Sequence, residues 1–370
     1  MAAGSAVAAA GSGGSAAPAG AGGNPFQVVT NLYAEKNIQG IVPGQLLGAS
    51  TVPIGGAINA GNYLRALRLV IRTTVAGVAG TVGADGVFNA IQQIVLTNVD
   101  GSEILYNMSG YAHSLAHKYF RVFEQDPYGA YDYAVGLSPS GTLVLKPEIR
   151  WTAGVLANTD SRSQYRFDGA INTLAAFQAT TYTTAPTLSI TPFMDAWAQP
   201  DDTDLQGQPN QPVPPGVNLQ VKRRHSIQTG MSAAGGNNII QNNNTGNALR
   251  GQLLIFRDGN GARQDGLSDP ISYTIDNRRM GKYSPDIIFQ WMQDFYNSLA
   301  RSTRETGVYV YPTFLKPGDL EGQGWLYTSN ATRILFESAT AAGIVGSPSL
   351  EIVTDEVYPV GPVDPVLVDI

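Results

Sequence analysis

The sequence predicts an all-β chain: two tandem eight-stranded jelly rolls, each with one prominent helix. Alternating apolar segments of strand length recur along it, separated by turn signals every ~8–12 residues, as in sandwiches and jelly rolls. Only one stretch per half has a convincing helical period, whereas a parallel α/β fold needs a helix after nearly every strand. The two halves also present their elements in the same order.

Residues 1–24 are nearly all Ala, Gly and Ser, which bury too little apolar surface to offset the entropy of ordering them; they read as a flexible arm. A second break falls at residues 199–216, where Asp201, Asp202 and Asp204 precede Pro209, Pro212, Pro214 and Pro215 with no apolar period. It reads as a linker. The first jelly roll is therefore expected at 25–198, and the second, with a C-terminal tail, at 217–370.

Near the start of the first half, Leu67, Leu69 and Ile71 alternate with Arg68 and Arg72, and the Leu253-Leu254-Ile255-Phe256-Arg257 run answers them in the second. One helix follows in each half. Ser109 is the expected cap of the first, with Ala112, Leu115, Tyr119 and Val122 as a weak stripe. Ser284 and Pro285 mark the start of the second, whose stripe is Ile288, Trp291, Met292, Phe295 and Leu299. Each helix should cover one sheet. The order then repeats again: Leu143-Val144-Leu145 with Val308-Tyr309-Val310-Tyr311, Tyr165-Arg166-Phe167 with Arg333-Ile334-Leu335-Phe336, and Pro186–Ile190 with Pro348–Ile352.

Composition narrows the function classes. The 370 residues suffice for two or three self-supporting domains, but only 14% are charged while Gly (42) and Pro (22) are frequent, which favours turns and strands over long surface helices. A net charge of −6 supplies no basic field, so sequence-specific nucleic-acid binding is not expected. The absence of cysteine excludes disulfides, thiolate metal sites and a cysteine nucleophile. No run approaches the ~20 apolar residues of a membrane helix. No Lys or Arg precedes Lys36, so the start lacks the basic region of a signal peptide, and the chain is expected in the host cytoplasm when made.

No constellation of catalytic residues stands out. His113 and His117 have the i, i+4 spacing of two zinc ligands, but Ser114 stands where a metalloprotease motif requires Glu; a helix face at a domain or subunit contact is the better reading. Lys222-Arg223-Arg224-His225 could meet phosphate or lipid headgroups, although such runs are more often solvated faces or salt-bridged seams. In Gly136–Gly141 and Gly230–Gly235 the closing glycine falls one residue too late for a hydrolase elbow. Asp258-Gly259-Asn260-Gly261 lacks the remaining ligands of a calcium loop and reads as a hairpin turn. Tyr309, Tyr311, Trp325 and Tyr327 suit packing at least as well as a sugar platform. No catalytic, cofactor or metal residue is assigned, and the chain is not expected to be an enzyme.

Local likeness is best in Gly154-Val155-Leu156-Ala157-Asn158 through Arg162, Gln164, Arg166 and Phe167. It recurs in Leu299-Ala300-Arg301, Thr306-Gly307-Val308-Tyr309 and Asn330-Ala331-Thr332-Arg333-Ile334-Leu335. With the order of elements over about residues 25–360, these segments resemble the double jelly-roll major capsid proteins of tectivirus-like, membrane-containing icosahedral phages. The resemblance implies a homotrimer with a pseudo-hexagonal outline, trimers tiling an icosahedral shell, and a place in the virion. It further implies vertex and other capsid proteins, and the internal viral membrane, as partners. The Ala/Gly-rich arm departs from the family by lacking a Gln-rich or amphipathic character suited to gripping that membrane. Two rival readings are a carbohydrate-binding tandem jelly roll, such as a phage receptor-binding protein, and a secreted carbohydrate-active enzyme. The first requires a concave aromatic patch, the second an export signal and a carboxylate pair.

Overall fold

The computed structural model describes residues 31–33 and 45–358, apart from 61, 76–79, 100, 102–103, 121–139, 150–152, 199–216, 219, 233–234, 243–244, 297–303, 312–321, 323 and 329–330. The arm at 1–24 and the linker at 199–216 expected from the sequence lie outside these residues.

The first half holds β1 (Asn31–Tyr33), β2 (Gln45–Leu46), β3 (Val52–Ala57), β4 (Asn62–Thr74), β5 (Thr81–Val82), β6 (Ile91–Thr97), β7 (Ile104–Met108), α1 (Gly110–Phe120), β8 (Ser140–Leu145), β9 (Leu156–Asn158), β10 (Arg166–Ile171), a short α2 (Leu174–Phe177), β11 (Gln178–Thr180) and β12 (Thr187–Ala198). The second holds β13 (Val221–Gly230), β14 (Asn237–Asn242), β15 (Ala248–Arg257), β16 (Leu267–Ile275), β17 (Arg278–Tyr283), α3 (Pro285–Tyr296), β18 (Val308–Val310), β19 (Leu326–Tyr327), β20 (Ile334–Thr340) and β21 (Ser349–Tyr358).

In the first half one sheet runs β1/β2-β12-β4-β8 and the facing one β7-β6-β10-β3; in the second the sheets are β13-β21-β15-β18 and β17-β16-β20-β14. The two halves correspond strand for strand, each with eight main positions in chain order arranged as 1-8-3-6 and 5-4-7-2. This is the jelly roll, made twice. The accessory strands agree too, since β9 pairs with β4 and β19 with its counterpart β15. Every segment pair matched in the sequence falls on equivalent positions: β4 with β15, α1 with α3, β8 with β18, β10 with β20, β12 with β21.

Local chemistry explains the elements. In β4, Leu67, Leu69 and Ile71 are fully buried while Arg68 and Arg72 point away from the core, as period-two alternation requires. At the start of α3, Ser284 Oγ accepts from the Ile287 amide at 3.3 Å, Pro285 occupies the first turn, and Ile288, Phe289 and Met292 are buried. Phe295 and Leu299, the last members of the expected stripe, lie outside the described side chains.

The first helix departs from expectation. Ser109 does cap it, its Oγ accepting from the Ala112 amide at 3.1 Å. Instead of covering one sheet, however, α1 lies between the two jelly rolls, and ten of its eleven residues are buried. Ala112, Leu115, Ala116, Tyr119 and Phe120 belong to the same buried cluster as the second jelly roll's Leu253, Phe256 and Val353. Its apolar stripe reads as weak because contact surrounds it on all sides.

Candidate functional site: the seam between the jelly rolls

Two features weld the halves together. Strand β7 of the first jelly roll runs parallel to β13 of the second, with Tyr106 opposite Arg224 and Asn107 opposite His225, so two sheets become one nine-stranded sheet. Alongside this pairing, Phe120 at the end of α1 rests on the backbone of β15. A Cβ built on Gly251 would lie 2.5 Å from Phe120 Cε1, closer than any side chain tolerates. Only glycine lets the ring sit there. This second covered face also explains why β15 is buried continuously from Ala248 to Phe256 rather than alternating.

The seam is charged as well as apolar. Lys222, Arg224, Arg250, Asp355 and Glu356 are all buried. Arg224 Nε donates to Asp355 Oδ2 at 2.6 Å, and Arg250 Nη1 lies 3.4 Å from the other oxygen, Oδ1. His225 Nε2 lies 3.3 Å from Glu356 Oε1, and the Arg223 guanidinium stacks 3.8 Å over the Tyr358 ring. Arg224 and His225, consecutive on β13, thus meet the consecutive carboxylates Asp355 and Glu356 on its antiparallel neighbour β21. Buried pairs of this kind add little net stability over apolar packing, but removing one partner costs about 3–5 kcal/mol because the other charge is stranded.

A second set of polar contacts ties the halves at one end of the seam. Asp85, from the turn after β5, accepts from Arg257 Nη2 and Arg263 Nε, both at 2.6 Å. Arg263 also donates to the carbonyls of Ala84 and Thr306, and its guanidinium lies 5.0 Å from the Tyr111 ring of α1. Glu305 accepts from Lys118 Nζ and Tyr119 OH of α1. These groups border a cleft of about 800 Å³ whose lining, among the described residues, includes Asn89, Arg304 and Thr306 and no aromatic side chain. Its arginines face carboxylates: Arg304 Nη1 donates to Asp265 Oδ1 at 3.0 Å.

Burial sets the protonation of the seam. His113 Nε2 donates to the Val144 carbonyl, 2.8 Å away, and full burial, with Arg224, His117 and Lys222 nearby, holds its pKa well below the ordinary 6.5. Burial alone would raise the Glu305 carboxyl; the Lys118 ammonium and the Tyr119 hydroxyl overcome this and hold it below its ordinary value.

The residues singled out in the sequence fall as follows. His113 and His117 are fully buried in the wedge between the jelly rolls. The basic run 222–225 forms the seam itself. Asp258 to Gly261 is a turn between β15 and β16: the Gly261 amide donates to the Asp258 carbonyl at 3.0 Å, and Asp258 Oδ1 accepts from the Asn260 and Ala262 amides. Tyr309 and Tyr311 are core residues. Gly136 to Pro139, Val122, and Asp201, Asp202 and Asp204 lie outside the described residues. Among the described residues no group of three His, Asp or Glu side chains is placed to hold a metal ion. Asp85, Phe120, Gly251, Glu305 and Asp355 carry the seam without any sequence motif to mark them.

No family model matches the sequence, nor does any curated protein. Solved structures do match. The major capsid protein of STIV, the Sulfolobus turreted icosahedral virus, superposes with a TM-score of 0.59 at 13% identity, covering 89% of this chain and 97% of that one. The fold is that of double jelly-roll major capsid proteins. The Faustovirus major capsid protein agrees at a TM-score of 0.57 and 8% identity, over 89% of this chain and 90% of its own. The major capsid protein P2 of bacteriophage PM2 gives 0.50 and 11%, over 89% and 97%. Because coverage is nearly complete on both sides, the likeness embraces both jelly rolls and the way they are joined, not one sandwich alone.

Proposed function

We propose that this chain is the structural major capsid protein of an icosahedral virus, acting by self-association into pseudo-hexagonal homotrimers that tile the shell. One observation carries the reading: two strand-for-strand copies of a jelly roll are locked edge to edge, in a fold shared over 89% of the chain with virus capsid proteins. A rigid two-domain block with similar edges lets a three-fold object present six nearly equivalent sides to its neighbours.

On this reading the work is mechanical and the chain does no chemistry. Residues 1–24 serve as an arm and 199–216 as the linker between domains 25–198 and 217–370. The chain resides in the virion after synthesis in the host cytoplasm, with vertex proteins and an internal membrane as further partners. The carbohydrate-binding alternative gains no support from the 800 Å³ cleft, whose lining among the described residues carries Asp85, Arg257, Arg263, Arg304 and Glu305 and no aromatic patch. The test is electron microscopy of the expressed protein and of particles from its source. Hexagonal capsomers made of this chain support the reading; its absence from the shell of those particles overturns it.

A further inference from the structure

An exposed sheet edge invites another strand, and chains blunt their edges with charge, proline or cover. Three edges here are blunted in this way. Strand β17 carries the exposed Arg278, Arg279 and Lys282. In β3, the first jelly roll's equivalent of β14, Pro53 has no amide to donate and Gly55 adopts a φ of +134°. The β8 edge is covered by α1, whose His113 Nε2 reaches the Val144 carbonyl. Strand β14 has none of these devices: Asn237–Asn242 contains no charge, proline or glycine, and it pairs only with β20 among the described residues.

Two hydrogen bonds fix which backbone groups of β14 face outward. The Thr340 amide donates to the Gly236 carbonyl at 3.1 Å, and the register of Asn237 opposite Ala339 makes those two residues a facing pair. On the far side of β20 the Asp276 amide donates to the Arg333 carbonyl at 2.9 Å, which commits the odd-numbered residues of β20 to β16 and leaves the even-numbered ones for β14. Bonded and non-bonded pairs alternate along an antiparallel ladder. Asn238, Ile240 and Asn242 therefore bond to β20, whereas Asn237 and Ile239 aim their amides and carbonyls away from the sheet. The Ile239 side chain is 65% exposed, more than any other large apolar side chain among the described residues.

The exposed face of the strand reads the same in both directions: Asn237, Ile239, Gln241, an isoleucine between two side-chain amides. An antiparallel copy turned about Ile239 sets isoleucine on isoleucine and amide against amide, with no like charges opposed. We infer that β14 is a contact between two copies of this chain, its edge pairing with the β14 edge of the other about a two-fold axis at Ile239. The inference rests on the shell-forming reading above and adds which strand links one capsomer to the next. Such a contact is isologous, so each one closes as a pair, and a lattice grows because a three-fold capsomer offers it three times. Each pairing is weak by itself, and a trimer in the lattice is held through several at once.

The test uses the full chain, with sedimentation and electron microscopy reporting growth beyond the trimer. Ile239→Lys sets like charges opposite each other and should raise the concentration needed for that growth roughly tenfold or more. Ile239→Pro removes an amide that is turned away from β20 and should act in the same direction. Both should melt close to the wild-type temperature, because the side chain is exposed and the ladder to β20 is untouched. As the chain has no cysteine, Ile239→Cys copies treated with a short bis-maleimide should give a two-chain product well above that from Val345→Cys, whose site is 63% exposed. Growth lost in both variants, with that product formed, supports the inference. If the wild type grows beyond the trimer and either variant grows equally well, or the Ile239→Cys product is no greater than the Val345→Cys product, the assigned strand is wrong while the shell reading stands. If the variants melt early, or the wild type stops at the trimer, the cross-link alone decides. A wild type that remains monomeric at every concentration removes the reading and the inference together.

Discussion

Gly251 offers the sharpest probe of the seam. Replacing it by alanine puts a Cβ 2.5 Å from Phe120 Cε1 and 2.7 Å from Cδ1, where the ring is fixed between α1 and β15 and has no open side. Either the ring leaves its place or the jelly rolls separate slightly, and overpacking of this kind costs about 1–3 kcal/mol. For domains of this size each kcal/mol lowers the melting temperature by about 2–4 °C. Phe120→Ala alone should cost about 3–5 kcal/mol, as a buried ring replaced by a cavity. The two changes should not add, because the methyl group introduced at position 251 fills space the ring has vacated; the double variant should be more stable than the sum of the single costs implies. Thermal melts of the four proteins in this cycle measure the coupling. Strict additivity would show that Phe120 and Gly251 do not touch, and the wedge between the jelly rolls would have to be abandoned.

Three further outcomes follow from the seam's charges. Asp355→Asn removes the carboxylate between Arg224 and Arg250 and should destabilise the protein by about 3–5 kcal/mol in chemical denaturation, against a negligible change for the exposed Asp294→Asn. Asp85→Ala leaves Arg257 and Arg263 without their carboxylate and should cost about 1.5–3 kcal/mol, with hydrogen exchange increasing on both sides of the end cleft and not in the β14-β20 pair. Acid should weaken the fold through His113. Its folded pKa lies well below 6.5, so as pH falls under about 6.5 the unfolded chain binds a proton that the folded one refuses, and stability drops by about 1.4 kcal/mol per pH unit until the folded value is reached. Glu305 acts in the same direction lower down, since a depressed carboxyl contributes stability above its unfolded value that is lost as pH falls through the folded one. Glu351, raised by burial, acts in the opposite direction, so the contribution of His113 is read as the difference in pH slope between the wild type and His113→Gln. Identical slopes would contradict it.

Much of the fold was legible because jelly-roll strands face water on one side and core on the other, and Leu67, Leu69 and Ile71 write that alternation directly into the chain. The repeat was legible for the same reason, each half needing the same inward positions in the same order. The seam was hidden by the opposite circumstance. Where both faces of an element are covered, periodicity disappears: α1 reads as a weak stripe and β15 as a plain apolar run. The polar residues of the seam are silent for a further reason. Arg224 and Asp355 meet across 131 positions of sequence, and Asp85 reaches arginines more than 170 positions away, so nothing local announces the pairing. The basic run at 222–225 was visible, and of its possible uses the salt-bridged seam is the one the structure realises.

The most direct measurement is cryo-EM of the purified full chain, with class averages viewed down the assembly axis. Six similar lobes arranged as three linked pairs, each pair fitting one copy of the two-jelly-roll block without bending at the seam, is the expected result. Isolated two-lobed particles at every concentration, or lobes that vary in their spacing within a pair, would contradict a rigid double jelly roll built to assemble with itself.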